Sequence, residues 1–243
     1  MRSSQRLVGV LLSLSLGWLP ADRSLAASVS VVGADGVGAD GSGEDVTAVA
    51  GPGGDANDAS ATGGNGIEVG GAGGTGGGAV AAAHSTSDTE GLEALAQSRG
   101  GNGGNALQAG GDGGAASATA TASTNGAGVL VGLDAYGGNG GSSSSDFASG
   151  GAGGNGGQAS TSFTVGVPSV VLTVVQNAIG GTGGTTADVF ATGDGGDAIC
   201  TVDGTGSSLE LRLTVTARGG DSPAGTSRAG DADSSAIVEN SGV

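Results

Sequence analysis

Doubled glycines recur along this chain at intervals too even for a linker. Glycine-rich segments of the GGxGG type open at Gly70, Gly100, Gly110, Gly137, Gly150, Gly180, Gly193 and Gly219. Every second one, Gly70, Gly110, Gly150 and Gly193, is separated by steps of 40, 40 and 43 residues, and the interleaved set by 37, 43 and 39. A unit of about 40 residues with a long arm and a short arm falls within the range of repeat architectures. Glycine reaches positive φ without a Cβ penalty and lets backbones approach closely. The segments are therefore expected as corners that pack against their copies in the next unit. Two longer runs, 70–78 and 150–157, carry glycine pairs at period three, the period of a polyproline-II-like helix. They are expected as polyglycine-II segments with the x residue facing outward.

The long arms read as pairs of strands. The stretch from Gly110 to Gly141 shows the plan: GGDGG, AASATATAS, TNGAG, VLVGLDAY, GGNGG. Alternating segments around a turn are the usual hairpin signature, and the same layout recurs in five arms. They are 27–32 with 46–50, 79–83 with 92–96, the stretch above, 158–165 with 170–179, and 197–202 with 208–218. The run LEALAQ at 92–97 also fits a helical turn. Turns are expected at 166–169 (GVPS) and 203–206 (DGTG). Ala116, Ala118, Ala120 and Ala122 share one face, and Leu209, Leu211, Leu213 and Val215 another. One alanine methyl contributes only about 0.8 kcal/mol on burial, so a single such hairpin could not stand alone. Neighbours must stack. The expected fold is all-β and elongated, a β-solenoid or a pile of stacked β-hairpins with glycine-rich corners. The short arms, 105–109, 142–149, 185–192 and 222–229, have room for one strand each, and Phe147 and Phe190 fall at matching places in two of them.

Residues 1–26 read as a cleaved secretory signal. Arg2 and Arg6 precede a 13-residue apolar run, Leu7–Leu19, which Pro20 breaks ahead of Ser24-Leu25-Ala26. The run falls short of the roughly 20 residues a permanent span needs. A secreted or cell-surface protein follows, one domain over 27–243 with no membrane span in the mature chain. The whole chain carries 7 basic and 23 acidic residues. Without Arg2, Arg6, Arg23 and Asp22 the remainder has 4 Arg, 22 acids and a formal charge of −18. Such a surface repels nucleic acid and anionic lipid. With no lysine, a phosphate-cradling P-loop is excluded. The single cysteine, Cys200, rules out a disulfide framework.

GGAGGNGG at 150–157, followed by alternating small residues, resembles the glycine-rich repeats of mycobacterial cell-surface proteins with polymorphic GC-rich repeats. It is similar also to glycine-rich exported bacterial proteins with GGxGGxAxAxA repeats. The resemblance spans residues 51–230. It implies a surface or matrix protein. The helical targeting domain of the mycobacterial family and the Pro-Glu-Pro sorting tail of other exported repeat proteins have no counterpart in these residues.

Reactive constellations are absent from the pattern. TGDGGDAI at 192–199 differs at its first position from the calcium-binding nonapeptide core, which needs tandem copies. The equivalents at 100–107 and 180–187 share the glycines but lack the required aspartate. Asp194 and Asp197 read as solvated loop acids, and calcium remains open through Asp55, Asp112 and Asp221 by ligand type alone. His84, the sole histidine, makes neither a zinc site nor a Cys–His dyad. Cys200 alternates with Ala198 and Val202 as a small buried hydrophobe. No GxSxG elbow occurs, and no catalytic, cofactor or metal residue is assigned. Thr119-Thr121, Thr161, Thr164 and Thr214-Thr216 suit hydroxyl ladders of the ice-binding kind, but without recurrence at one place in the unit. The expected function is a non-enzymatic structural or adhesive surface protein that self-associates or binds matrix components. The alternative is an ice- or calcium-binding extracellular module.

Overall fold

A computed structural model describes residues 27–51, 54–87, 91–124, 128–144, 156–169, 171–186, 192–208, 211–222 and 227–240. The signal segment, Phe147, Phe190 and most of the run 150–157 lie outside them. The described residues form strands and no helix. In chain order the strands are β1 Ala27–Val32, β2 Val46–Ala50, β3 Ala56–Thr62, β4 Glu68–Val69, β5 Ala72–Gly73, β6 Ala79–Ser87 and β7 Leu92–Arg99. They continue with β8 Ala116–Thr124, β9 Val129–Tyr136, β10 Gly156–Ser169, β11 Leu172–Ile179, β12 Ala198–Ser208, β13 Leu211–Arg218 and β14 Ala232–Asn240.

Twelve of these strands build two six-stranded sheets, ordered β1-β3-β7-β9-β11-β13 and β14-β12-β10-β8-β6-β2. Every pairing within them is parallel. The chain runs along a strand of the first sheet, out through a glycine-rich segment, back along a strand of the second, and on to the next coil. This is a β-solenoid.

The two halves of each long arm therefore do not pair as hairpins. They enter opposite sheets, and each bonds to its counterpart one coil away: Leu92 pairs with Val129, and Ala79 with Ala116. Arching over turns two apolar faces toward each other, whereas an isolated hairpin would leave one of them in water. Two expected turns are strand. β10 runs on to Ser169, and β12 runs on to Ser208, because their backbones pair as far as Val165–Gly206 and, after a register shift, again at Ser169–Ser208. The 92–97 run is strand β7 rather than a helical turn. Among the described residues, the short arms supply only isolated bridges, Ala72 to Ala109 and Ala106 to Ser143.

The core lies between the sheets and follows the alternation. Leu92, Val129, Val131, Leu133, Leu172 and Val174 on the first sheet face an alanine lining on the second, Ala79, Ala81, Ala83, Ala116, Ala118 and Ala120. Cys200 is buried, and its Sγ donates to Thr216 O at 3.1 Å. Burial raises its thiol pKa above the usual value, against smaller opposite effects of backbone hydrogen bonds. A buried, protonated thiol is a poor nucleophile. Aromatic disulfide reagents are expected to leave Cys200 unlabelled in the folded protein and to label it fully in denaturant.

Candidate functional site

The glycine segments extend the two sheets into a second double layer. Residues 63–66, 100–104, 137–141, 180–184 and 219–221 leave the first sheet, and 73–77, 110–114 and 193–196 return to the second. In the segment 100–104 every amide has a partner outside the segment. Gly100 and Gly103 N–H donate sideways to Tyr136 O and Asn139 O of the next coil, at 2.9 and 2.8 Å. Gly101 and Gly104 N–H donate across to Gly77 O and Gly74 O, both at 2.9 Å. The Asn102 N–H donates to Asn65 Oδ1 at 2.9 Å. A three-residue period with all bonds between segments is the arrangement of polyglycine II.

The doublets are therefore required mainly for closeness. A Cβ on Gly101 would stand 1.9 Å from Gly64 O, and one on Gly100 1.9 Å from Gly114 O. Positive φ occurs instead at Gly36, Gly41, Gly51, Gly54, Gly70, Gly71 and Gly128. Among the described doublets that open the recurring segments, only Gly70-Gly71 has it, at the tip of the antiparallel β4–β5 pair.

The x residues point outward and form ladders. Asp35 Oδ1 accepts from Asn65 N–H at 2.6 Å, Asn102 Oδ1 from Asn139 N–H at 3.0 Å, and Asn139 Oδ1 from Thr182 N–H and Oγ1, both at 3.0 Å. The opposite layer uses carboxylates in the same way. Asp45, Asp194 and Asp197 accept from the backbone of Gly78, Arg228 and Asp231. Asp194 and Asp197 are therefore acceptors in a coil-to-coil ladder rather than free loop acids. Among the described residues, no three His, Cys, Asp or Glu side chains converge on a point that could hold a metal. Asp112 and Asp221 belong to opposite layers. Chelator and millimolar calcium are accordingly expected to leave the thermal unfolding midpoint unchanged within about 1 °C, since a ligand shifts stability only by binding the folded state. A rise of several degrees with calcium would reveal a site that the described residues do not form.

No family model matches the chain, and no curated protein matches it. Among solved structures it is similar to the antifreeze protein of the springtail Granisotoma rainieri, described as a bundle of nine polyproline type II helices. The identity is 23%, covering 85% of this chain and 93% of that one, with a TM-score of 0.13.

Two surfaces among the described residues bear on function. The outer face of the second sheet carries Thr47, Ser117, Thr119, Thr121, Ser123 and Thr201, interrupted by Val80, His84, Ile199 and Asp203. His84 Nδ1 shares a hydrogen bond with Thr121 Oγ1. The other surface is a cleft of 410 Å³ where the first sheet meets the outgoing glycine layer. Its floor is the row Arg99, Tyr136, Ile179, Arg218, in register on β7, β9, β11 and β13. Its lip is the outward series of Asn102, Asn139, Thr182 and Asp221. Burial and then the Asp134 carboxylate hold the Tyr136 phenol above its ordinary 10.0, with Arg99 acting in the opposite sense.

Neither the ladders nor this row emerged from the sequence reading. Their signal is present, however. The x residue is Asn at 65, 102 and 139, spaced by 37, and each residue of the row immediately precedes a doublet.

Proposed function

We propose that this chain is an exported, non-catalytic scaffold of the cell surface or extracellular matrix that acts through its extended faces. One observation carries the reading: polar groups that could serve chemistry are used instead to tie coil to coil. Asn65, Asn102, Asn139, Asp45, Asp194 and Asp197 all spend an oxygen on a neighbouring backbone. Coils bound only to their neighbours make a rod whose rigidity accumulates along its length. The resemblance to glycine-rich surface proteins points the same way. So does the apolar run at 7–19. Self-association has support at the outermost strands of the first sheet. The half-buried core members Val29 and Val31 on β1, and Leu213, Val215 and Ala217 on β13, offer apolar surface to a second copy.

The test is to express residues 1–243 in a secreting bacterial host. Recovery outside the cell with Ala27 as the first residue, as rod-shaped particles by small-angle scattering, is the expected result. Retention in the cytoplasm with the leader intact would remove the reading.

A second reading, ice binding, draws on the flat hydroxyl face of the second sheet. Thr119 and Thr121 sit in register with outward residues of β6 and β12. Its weakness is chemical, since His84 and Asp203 interrupt the array with groups that hold their own water. Thermal hysteresis of the purified chain separates the two. The scaffold reading expects none.

A further inference from the structure

The cleft above the Arg99–Arg218 row goes beyond the scaffold reading, which stands without it. Four arginines remain after residue 26, and two of them lie in this one row. Between them stands Tyr136, the only tyrosine of the chain. Strands in a sheet are spaced by about 4.8 Å, so the backbones of Arg99 and Arg218 stand roughly 14 Å apart with the ring between them.

The lip is rich in donors for a reason built into the ladder. Asn102 and Asn139 each accept from the next coil's backbone through Oδ1, which fixes the amide orientation and leaves Nδ2 outside the ladder bond. Arg218 bonds Asp221 at 3.1 Å, but both side chains are about two-thirds exposed, so an incoming carboxylate can exchange with Asp221 readily. The row continues through Thr62 on β3 to Val32 on β1, and at its other end it stops at Arg218 on β13, the last strand of the first sheet. A linear ligand can lie through it.

We propose that this cleft binds a sparsely charged acidic polysaccharide, with one sugar ring on the face of Tyr136. A uronate carboxylate would meet Arg99 or Arg218, and ring hydroxyls would meet the Asn Nδ2 groups. A planar guanidinium matches a carboxylate bidentately, and a tyrosine ring offers a flat apolar face with a polar tip. Density of charge decides the class. The chain as a whole is strongly acidic, so a heavily sulfated polymer is repelled beyond the cleft. A chain with uronates among neutral sugars meets that repulsion mainly within one screening length of about 8–10 Å.

Purified exported chain is titrated with a hexameric oligogalacturonate, methyl-esterified on half of its carboxylates, and with the fully esterified oligomer. Calorimetry and the fluorescence of Tyr136 serve as readouts. The half-esterified oligomer is expected to bind and to change the tyrosine emission, weakening as salt rises. The fully esterified one should bind at least tenfold more weakly. Arg99→Gln and Tyr136→Leu should each cost about tenfold in affinity without altering the unfolding midpoint. Arg212→Gln, at the opposite end of β13, should cost less than twofold. No binding at millimolar oligomer, equal binding of the two oligomers, or an equal loss with Arg212→Gln would each overturn the proposal.

Discussion

Replacing Gly101 with alanine is expected to destabilise the fold by about 4 kcal/mol, a large part of the roughly 5–15 kcal/mol that holds a typical domain. The new methyl would lie 1.9 Å from Gly64 O, where an ordinary contact is nearer 3.5 Å, and neither neighbour is a side chain that could swing away. The neighbouring segments 63–66 and 100–104 of the outgoing layer must part. Parting them strains the bonds from Gly63 N–H to Arg99 O at 2.9 Å and from Gly66 N–H to Asn102 O at 2.8 Å. Each is worth about 1 kcal/mol net, and more once a buried partner is orphaned. Two controls separate closeness from conformation. Gly70→Ala places a methyl in open space but at φ +65°, a penalty of about 1–2 kcal/mol. Asn102→Ala removes one exposed ladder acceptor, about 1 kcal/mol. Urea titration followed by circular dichroism should rank Gly101→Ala well beyond both. If Gly101→Ala falls within 1 kcal/mol of the parent, the neighbouring glycine segments 63–66 and 100–104 are not in contact.

The second large effect is expected at Ala118→Leu, about 3 kcal/mol, at the upper end for overpacked cores. Ala118 is fully buried in a row with Ala81 and Ala159, between the facing sheets. Buried leucine and valine lie mostly on the first sheet, while alanine predominates on the second. Three added carbons on the small side have no space to enter without moving both sheets. Thr119→Leu, one residue along on the outer face, should change stability by no more than about 0.5 kcal/mol. Equal effects at 118 and 119 would mean that the register assigned to β8 is wrong.

Particular residues show what could be read in advance. The face made by Ala116, Ala118, Ala120 and Ala122 was legible, because a strand's two-residue period survives whatever it pairs with. The partner was not legible. Val129 bonds backward to Leu92 and onward to Leu172 rather than to β8, and alternation is the same for a hairpin and for an arch. Glycine created a second ambiguity. One letter stands both for freedom at positive φ and for the absence of a methyl, and only the neighbouring x residue tells them apart. Asn65, Asn102 and Asn139 repeat because each must reach the next coil's amide. The cleft row was hidden in the same way. Arg99, Tyr136, Ile179 and Arg218 look like the ends of unrelated hairpins until the doublets are aligned in one column.

The two periods in each coil also limit how such a gene can change. Register partners in the first sheet lie 37, 37, 43 and 39 residues apart from β3 to β13, and the outward residues 65, 102, 139, 182 and 221 step by the same amounts. Strand and outgoing segment thus inherit a common frame, and differences in length collect in the loops beyond. A deletion of one residue inside a strand inverts every side chain after it, while the glycine layer admits slips only in threes. Codon gains and losses are consequently confined to the loops or to whole coils, so lineages of such proteins should differ in how many coils they have far more than in what a coil looks like.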